Sequence, residues 1–512
     1  MECFAVIKKF QRRLAKTNPK LIFWVIFCSL FIVWTFTQFY RLNRVDRSGH
    51  DLAQYGFAML DWRSTGKIPL LGPNISYILT KSSPLYYWLI YPFYLISDAA
   101  ILYIHLAHFV YTWVIFLALA LALHKQSRCR WSFLLLIAMF CFCPIILNSR
   151  IQLAWSPSFV WQPIVVAWYC LTLAQKSKHR VALSALSGIA CAVAISLELL
   201  IVPIAVGLLL ITALRLRKNI LPLLLGFTIA MLIFWEPVLI IHNSVKSNNH
   251  SFFLPHKSPD PFTTRLHRLI TWSISGHNYI KYEPLLAYSF YIFIIALVIF
   301  YARKTNKKKL LNQDWLQLAI FLIVSIIITL IPAIRMEGWY PVGTAVVIIL
   351  LLTNLPGRFK YLLCALLLSY WLLAYVRILN LPYRASVSTT ASCLKEVCQH
   401  VVPNQYYYAL YTDAVFDKVP AYLLSIAGCP PAVRYQSSDP SILRALSVYT
   451  NHPLLVFHDL DTVAAEKKWP TENSELPYIG LKPFLDEFYT QAVASASCEG
   501  NWGWTLYNKV KE

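Results

Sequence analysis

RLNRVDRSGHDLAQYGFAMLDWRSTGKIPLLGPNISYILTKSSPLYYW occupies residues 41–88, directly after the first apolar run of the chain. It brings carboxylates, basic groups, Gly-Pro turns and aromatic side chains together in a short stretch. Most of the surrounding sequence is hydrophobic. We therefore expect any chemistry that the chain performs to be centred here.

The composition indicates a membrane protein. The 512 residues are 58% hydrophobic and only 14% charged, and several apolar runs reach the roughly 20 residues that an α-helix needs to cross a bilayer. These runs are too long and too uniformly apolar for barrel strands, in which polar and apolar residues alternate. We predict a polytopic α-helical membrane protein with about 11 spans, followed by a C-terminal soluble α/β domain.

The positive charge of the chain follows the expected topology. The formal net charge is +22, but the basic residues cluster in short connections between apolar runs, as the positive-inside rule predicts. This distribution argues against nucleic acid as a partner and makes membrane lipid the expected surroundings. We expect a multi-pass protein of a bacterial inner (plasma) membrane, with the N-terminus in the cytoplasm and the C-terminus outside.

The sequence divides into three regions. Residues 1–20 form a basic cytoplasmic tail, residues 21–379 the transmembrane domain, and residues 380–512 an extracytoplasmic domain that is large enough for its own core. Within the transmembrane domain, loops 41–83 and 242–283 are predicted to lie on the extracytoplasmic side.

Several segments predict particular local structures. Residues 84–96 are apolar but too short for an easy crossing, which indicates a re-entrant or interfacial piece. Residues 181–214 have basic groups at both ends, so their length suits two short helices that enter the membrane and return. In the C-terminal region, residues 406–416 and 452–460 are typical of buried strands, and residues 441–450 are typical of a helix.

The C-terminal region holds an even number of cysteines. An even number permits two disulfides if this region faces an oxidising compartment, but the pairing does not follow from the sequence. The four residues are Cys393, Cys398, Cys429 and Cys498.

Two carboxylates five residues apart, Asp46 and Asp51, follow the first apolar run. After Asp51 the apolar residues fit an amphipathic surface helix only roughly, which would place Asp51 near the helix N-terminus. An Asp there can serve simply as a helix N-cap or be a solvated loop residue. A carboxylate at a membrane surface can also act as a general base for an acceptor hydroxyl. The spacing leaves both roles open.

A turn-rich segment, residues 66–73, precedes an aromatic cluster that contains Tyr86 and Tyr87. One interpretation is an interfacial aromatic belt. The other is a wall for a lipid-linked substrate. The two interpretations are compatible.

These motifs together resemble a known family. Asp46 and Asp51, followed by IPLLGPNIS at 68–76 and SPLYYWLIYP at 83–92, are similar to the first external loop of the protein-mannosyltransferase and aminoarabinose-transferase superfamily, which are membrane glycosyltransferases of the GT-C fold. Weaker echoes of the family lie outside this loop. They are SRIQLAWSPSF at 149–159, FWEPVLIIHNS at 234–244 and GWYPV at 338–342.

The resemblance implies a reaction. Members of the family transfer a sugar from a polyprenyl-phosphate carrier to an acceptor hydroxyl on the extracytoplasmic side, which here implies a hexosyl or pentosyl transferase acting on a lipid, glycan or protein acceptor. By position, Asp51 matches the family's candidate base and Asp46 the companion acid. Because the leaving phosphate needs cations, Lys81, Arg265 and Arg268 are candidates for holding it, although ordinary contact with lipid headgroups explains each equally well.

The sequence departs from the family at one point that concerns metal binding. Aminoarabinose-transferase-like members carry Glu-Lys-Pro-Pro before Leu-Tyr-Tyr, whereas this chain has Lys81–Ser82–Ser83–Pro84. The Glu that could ligate a metal is therefore absent, and the sequence implies no firm cofactor and leaves a divalent cation open. His242 begins the histidines of the second large outer loop and is a further candidate for substrate contact, although a polar loop readily holds unliganded histidines.

Two other classes of function compete with a transferase. A transporter or flippase for a lipid-linked saccharide would place polar groups near the bilayer midplane on interrupted helices, often in repeated halves. No paired repeat is evident, and the acids concentrate outside the apolar runs. A non-catalytic assembly protein that binds through its C-terminal domain is the third possibility. Neither alternative accounts well for residues 41–88.

Overall fold

The chain is seen here as a computed structural model. It describes residues 18–39, 50–75, 80–97, 102–124, 127–148, 156–175, 177–215, 219–244, 261–275, 283–305, 313–329, 341–357, 359–380, 387–411, 419–432, 453–459, 491–498 and 502–508.

Helices dominate the described part. In chain order they are α1 (Pro19–Phe39), α2 (His50–Thr65), α3 (Leu85–Ile96), α4 (Leu102–Leu123), α5 (Ser127–Phe142), α6 (Pro144–Asn148), α7 (Trp161–Ala174), α8 (Arg180–Leu197), α9 (Val202–Arg215), α10 (Ile220–Ser244), α11 (Phe262–Ser275), α12 (Glu283–Lys304), α13 (Asp314–Thr329), α14 (Pro341–Asn354), α15 (Phe359–Asn380), α16 (Val387–Val397) and α17 (Val419–Ile426). The strands are β1 (Asn74–Ile75), β2 (Thr80–Lys81), β3 (Tyr407–Tyr411), β4 (Leu454–Asp459), β5 (Gln491–Cys498) and β6 (Trp502–Asn508).

Among the described residues, 6 helices are long and apolar enough to cross a membrane. They are α1, α4, α8, α10, α12 and α15. Shorter apolar helices of 10–17 residues lie within α3, α5, α7, α9, α13 and α14. The prediction of a polytopic helical membrane protein is confirmed, and the number of about 11 spans stays a prediction.

The apolar segment 181–214 forms two helices, as its length and flanking charges predict. Helix α8 ends at Leu197, a 3₁₀ turn follows at Leu199–Ile201, and α9 begins at Val202. The turn is a real break in the helix, because the Glu198 backbone is extended (φ −153°, ψ 112°).

Helices α8 and α10 cross at unusually close range. A Cβ added at Gly188 would meet the backbone of Leu223 and Phe227, and one added at Gly226 would meet the carbonyl of Ala185. Small residues at a crossing let two helix backbones approach closely. Such packing stabilises helix pairs in a membrane, because the surrounding lipid is as apolar as the helix surfaces and gives no hydrophobic driving force for their association. The two glycines therefore allow the backbones of α8 and α10 to pack in direct contact.

A buried cation ties three helices of the transmembrane domain to each other. The Arg215 guanidinium of α9 pairs with the carboxylate of Asp314 on α13 at 2.9 Å and also donates to the side-chain oxygen of Gln317. It lies 5.1 Å from the ring centroid of Trp168 on α7. Burying a charge is costly unless it is paired, so this arrangement fixes the ends of α9 and α13 relative to each other.

The C-terminal region forms a mixed four-stranded sheet in the order β3-β4-β6-β5. Strands β3 and β4 are parallel, with Tyr407 opposite Leu454, and the other two pairs are antiparallel. Strands β3 and β4 lie within the predicted segments 406–416 and 452–460, and with α16 and α17 they confirm an α/β fold. The predicted helix at 441–450 lies outside the described residues.

Two disulfides cross-link this region, one between α16 and the sheet and one between the segments that follow α16 and α17. Cys393 of α16 pairs with Cys498 of β5, and Cys398, just after α16, pairs with Cys429, which follows α17. The Cα atoms are 5.8 and 5.5 Å apart, within the normal range for a disulfide. The even cysteine count thus predicts the number of bonds, and the fold supplies the pairing.

Candidate active site

The predicted base lies in the first turn of a helix. Asp51 is the second residue of α2. The helix ends at Thr65, and Gly66 adopts the left-handed conformation (φ +69°) while its N–H donates to the carbonyl of Trp62 at 2.9 Å. The predicted position of Asp51 near a helix N-terminus therefore agrees with the backbone. Asp46, its predicted companion, lies outside the described residues.

Helix α2 is packed on two opposite sides. Tyr55 is buried against Tyr86 and Tyr87 of α3, with ring centroids 4.7 and 6.1 Å apart. Phe57 packs edge-on against Tyr422 of α17 at 5.8 Å. Residues two positions apart point about 200° apart around a helix, so one apolar stripe does not describe α2. This double burial explains why the sequence fits an amphipathic surface helix only roughly.

A second contact holds α2 against α3 two turns further along. The rings of Trp62 and Tyr91 stack with centroids 3.6 Å apart and planes 6° from parallel. Together with the Tyr55 contacts, this stacking fixes the direction of α2 as well as its distance from α3. The structure thus joins two predicted parts of the site, the helix of Asp51 and the pair Tyr86 and Tyr87.

The turn-rich segment 66–73 leads into a short hairpin that returns the chain to α3. Strands β1 and β2 pair with Asn74 opposite Lys81, and the Gly72 N–H donates to the carbonyl of Ser82 at 2.9 Å. A Cβ at Gly72 would meet the carbonyl of Ser83, so only glycine fits there. The backbone places Lys81 at the end of the hairpin, four residues before α3 begins at Leu85.

The hairpin is anchored to α3 from the other end. The indole Nε1–H of Trp88 donates to the carbonyl of Pro69 at 3.0 Å, and the hydroxyl of Ser83 accepts the N–H of Leu85 at 3.2 Å. The segments that resemble the family motif, IPLLGP and SPLYYW, therefore contact each other. Their function in the fold is to define the return path of the chain from α2 to α3.

A group of tyrosines lies where α3, α4 and α17 meet. The rings of Tyr94 and Tyr103 pack edge-on at 5.1 Å. The buried hydroxyl of Tyr103 is within hydrogen-bond reach of Tyr422, and Tyr86 and Tyr94 lie close to it. Sequence reasoning missed Tyr94, Tyr103 and Tyr422, since a tyrosine within an apolar run resembles ordinary core.

A buried histidine supports Tyr86 from behind. His108 of α4 is bonded through Nε2 to the carbonyl of Ser158 at 2.9 Å, and Phe159 packs against both His108 and Tyr86. Ser158 and Phe159 belong to the 3₁₀ turn Ser156–Phe159, which is the end of the family-like segment SRIQLAWSPSF. The sequence signal for His108 was available, because an ionisable residue in an apolar run is a functional suspect.

The predicted phosphate ligands of the second outer loop lie on α11. Arg265 is only 2% exposed, whereas Arg268 is half-buried with its guanidinium 5.5 Å from the ring centroid of Trp272. The helix is locked to α12, because Ser273 shares a hydrogen bond with Tyr291 (2.8 Å) and His267 contacts the hydroxyl of Tyr288 (3.2 Å). Both arginines therefore project from a fixed helix.

The remaining candidate and the metal question are partly outside what the structure describes. His242 lies in the last turn of α10 as far as its backbone goes. Within the described ranges, no group of three or more His, Cys, Asp or Glu side chains is suited to hold a metal ion. The expectation that leaves a divalent cation open is not tested by this, since Asp46 is not among the described residues.

The candidate residues on α2 and on α11 differ in the chemistry that they offer. A carboxylate in the first turn of α2 can accept a proton, and cations on α11 can balance a phosphate. The aromatic residues of α3 and the 3₁₀ turn hold α2 in place without contributing charge.

Comparison with known proteins identifies the fold. No protein-family model and no curated protein sequence matches the chain. Two crystal structures of ArnT from Cupriavidus metallidurans, in the apo state and bound to undecaprenyl phosphate, match 94% of this chain and 97% of their own. Their TM-scores are 0.55 and 0.52, at 13% sequence identity. The chain therefore has the GT-C fold that its first-loop resemblance implies.

Proposed function

We propose that this chain, with the fold of ArnT, transfers a sugar from a polyprenyl-phosphate-linked donor to an acceptor hydroxyl on the extracytoplasmic face. One of the two ArnT structures is bound to undecaprenyl phosphate, which supports a lipid-phosphate donor. One observation on this chain carries the proposal. Asp51 is the second residue of a helix whose two opposite sides are packed against α3 and α17.

Asp51 is the general base of the proposed reaction. Its carboxylate takes the proton of the acceptor hydroxyl while the oxygen attacks the anomeric carbon of the donor sugar. The bond between that carbon and the phosphate oxygen breaks, and the polyprenyl phosphate leaves with the bonding electrons. Such a displacement needs one base and cationic partners for the phosphate. Asp46 is proposed to position Asp51 or the acceptor.

Arg268 is the proposed partner of the leaving phosphate. It is half-buried on α11, whereas Arg265 is almost fully buried in the same helix. A fixed guanidinium binds phosphate with directed hydrogen bonds. We assign Arg265 mainly to holding α11 in place, with a weaker role in direct contact with the phosphate. Lys81 and His242 are assigned to the edges of the donor site.

Tyr86 and Tyr87 form the wall behind α2 in this proposal, because both rings are buried against Tyr55. The transferred group is a hexosyl or pentosyl unit, and the acceptor is a lipid, glycan or protein hydroxyl. Membrane lipid surrounds the site. Helix α17 packs on the side of α2 opposite α3, and the C-terminal region is proposed to meet the acceptor there.

The test is transfer of label from a polyprenyl-phosphate sugar pool to endogenous acceptors in membranes. Wild-type protein is compared with Asp51→Asn, Asp46→Asn and the control Asp61→Asn at matched protein levels. Asp61 is an exposed carboxylate at the other end of the same helix. We expect Asp51→Asn to lower the rate by about 10²- to 10⁴-fold, Asp46→Asn to lower it less, and Asp61→Asn to leave it unchanged.

The outcomes separate the base from the activity. A wild-type protein that yields no labelled product from any polyprenyl-phosphate sugar would refute the transferase and favour transport of a lipid-linked saccharide. A labelled product that survives Asp51→Asn would keep the transferase and remove Asp51 as its base.

The role of Arg268 needs a separate kinetic measurement. Arg268→Gln should raise the KM for the donor by about tenfold, because one charge-assisted hydrogen bond to phosphate is lost. Arg303→Gln, which changes an exposed arginine at the far end of α12, is the matched control. An unchanged KM in Arg268→Gln would refute a role in donor binding and would leave Arg268 with a structural role, through its contact with Trp272.

A further inference from the structure

Tyr422 occupies a place on α2 that only a glycine leaves open. Its ring is completely buried and packs edge-on against Phe57. A Cβ added to Gly56 would clash with this ring, at its Cε2, Cζ and Cδ2 atoms. Gly56 lies in the middle of a helix, where glycine is disfavoured. The close approach of Tyr422 gives this glycine a structural reason.

The same side chain reaches the transmembrane helices below α2. The Tyr422 hydroxyl is within hydrogen-bond reach of the Tyr103 hydroxyl on α4, to which Tyr86 of α3 is also close. One residue of the C-terminal region therefore contacts α2 through its ring and Tyr103 of α4 through its hydroxyl. This makes Tyr422 a connection between the sheet region and the predicted site.

The support of Tyr422 is rigid. The segment after α17 is fixed by the disulfide between Cys429 and Cys398. The hydroxyl of Tyr406 also donates to the carbonyl of Cys429 at 2.6 Å. Movement of Tyr422 away from α2 thus requires movement of a cross-linked part of the C-terminal region.

We propose that Tyr422 is a positioning residue, through which the C-terminal domain sets the place of α2 and hence of Asp51. Asp51 precedes Gly56 by five residues, or about 7.5 Å along the helix axis, so a shift at Gly56 is carried to the base. This inference rests on the proposed function. The ring does the positioning, because it is the ring that fills the space over Gly56.

The experiment uses full-length protein in detergent or nanodiscs and measures kcat and KM for the polyprenyl-phosphate sugar. Displacing a catalytic group by about 1 Å can cost 10²-fold in rate, so Tyr422→Ala should lower kcat by about 100-fold and change KM for the donor less than twofold. Tyr422→Phe keeps the ring and should retain kcat within threefold. Tyr301→Phe, which removes the hydroxyl of a half-buried tyrosine on α12, is the control and should retain kcat.

A double variant tests the pairing directly. Gly56→Ala should lower kcat at least tenfold by pushing the ring of Tyr422 away. When the ring is already removed, the added methyl has nothing to displace. Gly56→Ala/Tyr422→Ala should therefore have the kcat of Tyr422→Ala alone, whereas independent effects would multiply. Multiplying effects, or a Tyr422→Ala enzyme with wild-type kcat at equal folded amounts, would overturn the proposal.

A readout without activity separates this inference from the proposed function. Amide hydrogen exchange in residues 50–65 should be at least tenfold faster in Tyr422→Ala and unchanged in the control Tyr301→Phe. If this exchange effect is present but wild-type protein transfers no sugar, the proposed function fails and the mechanical link to α2 stands. If transfer occurs and neither exchange nor kcat responds to Tyr422→Ala, the positioning role alone fails.

Discussion

Removing the Cys398–Cys429 disulfide should destabilise the C-terminal domain by an amount set by the loop that it closes. The bond joins residues with a sequence separation of 31, and the chain-entropy relation then gives about 3.7 kcal/mol at 25 °C. The Cys393–Cys498 bond spans 105 residues, and the same relation gives about 4.8 kcal/mol. The perturbation is Cys398→Ser/Cys429→Ser in the full chain.

The assay is amide hydrogen exchange at β4, which pairs with strands on both sides. If β4 exchanges through global opening of the domain, a loss of about 3.7 kcal/mol speeds its exchange by roughly 500-fold. Removing the Cys393–Cys498 pair should have the larger effect of the two. Amides at the crossing of α8 and α10 should be unchanged.

The control is Cys28→Ser, which makes the same replacement at an exposed free cysteine of α1. It should leave exchange at β4 unaltered. Acceleration of less than tenfold in Cys398→Ser/Cys429→Ser, or a larger effect from that bond than from Cys393–Cys498, would refute the loop-entropy reasoning for this domain.

Three further predictions concern packing and charge. Gly188→Ala should lower the stability of the transmembrane domain by roughly 1–3 kcal/mol, because the added methyl meets the Leu223 carbonyl. Thermal unfolding in detergent measures this loss. Ala182→Leu, on the exposed face of α8, is the control and should leave the unfolding temperature nearly unchanged. Asp314→Asn should lower the free energy of unfolding by roughly 1–3 kcal/mol, because it leaves the buried Arg215 charge unpaired. The loss is smaller than for a fully buried pair, since Asp314 is 34% exposed while Arg215 is 5% exposed. Arg215→Leu/Asp314→Leu should be more stable than Asp314→Asn, and the reverse order would contradict the cost of an unpaired charge. Tyr406→Phe should cost about 1 kcal/mol through its lost hydrogen bond to Cys429, read out as exchange at β3, and no change there would mean that water replaces the bond.

The sequence predicts the transmembrane elements well because membrane helices carry a local signal. Apolar length and flanking charges identify the two helices of 181–214, and the strands at Tyr407–Tyr411 and Leu454–Asp459 lie inside the predicted segments. The position of Asp51 in the first turn of α2 also follows from local pattern. Each of these features depends on residues close together in the chain.

Features that depend on distant residues were not predictable in this way. Four cysteines allow three pairings, and only the fold decides among them. The burial of Phe57 depends on Tyr422, which lies in another domain of the sequence. Its effect on the sequence of α2 was nonetheless visible as an irregular apolar pattern, since a helix buried on two sides lacks a single stripe.

Gly56 makes the same point more sharply. Glycine in a helix interior costs about 1 kcal/mol relative to alanine, and an alanine there would be the simple choice for the stability of α2. The structure gives the cost a purpose, because the missing Cβ admits the ring of Tyr422. Places where a sequence breaks a local rule are expected at functional or strained positions. Gly56 weakens α2 as an isolated helix, but it lets the cross-linked C-terminal region hold that helix through Tyr422. The placement of Asp51 therefore explains this glycine better than the stability of α2 does.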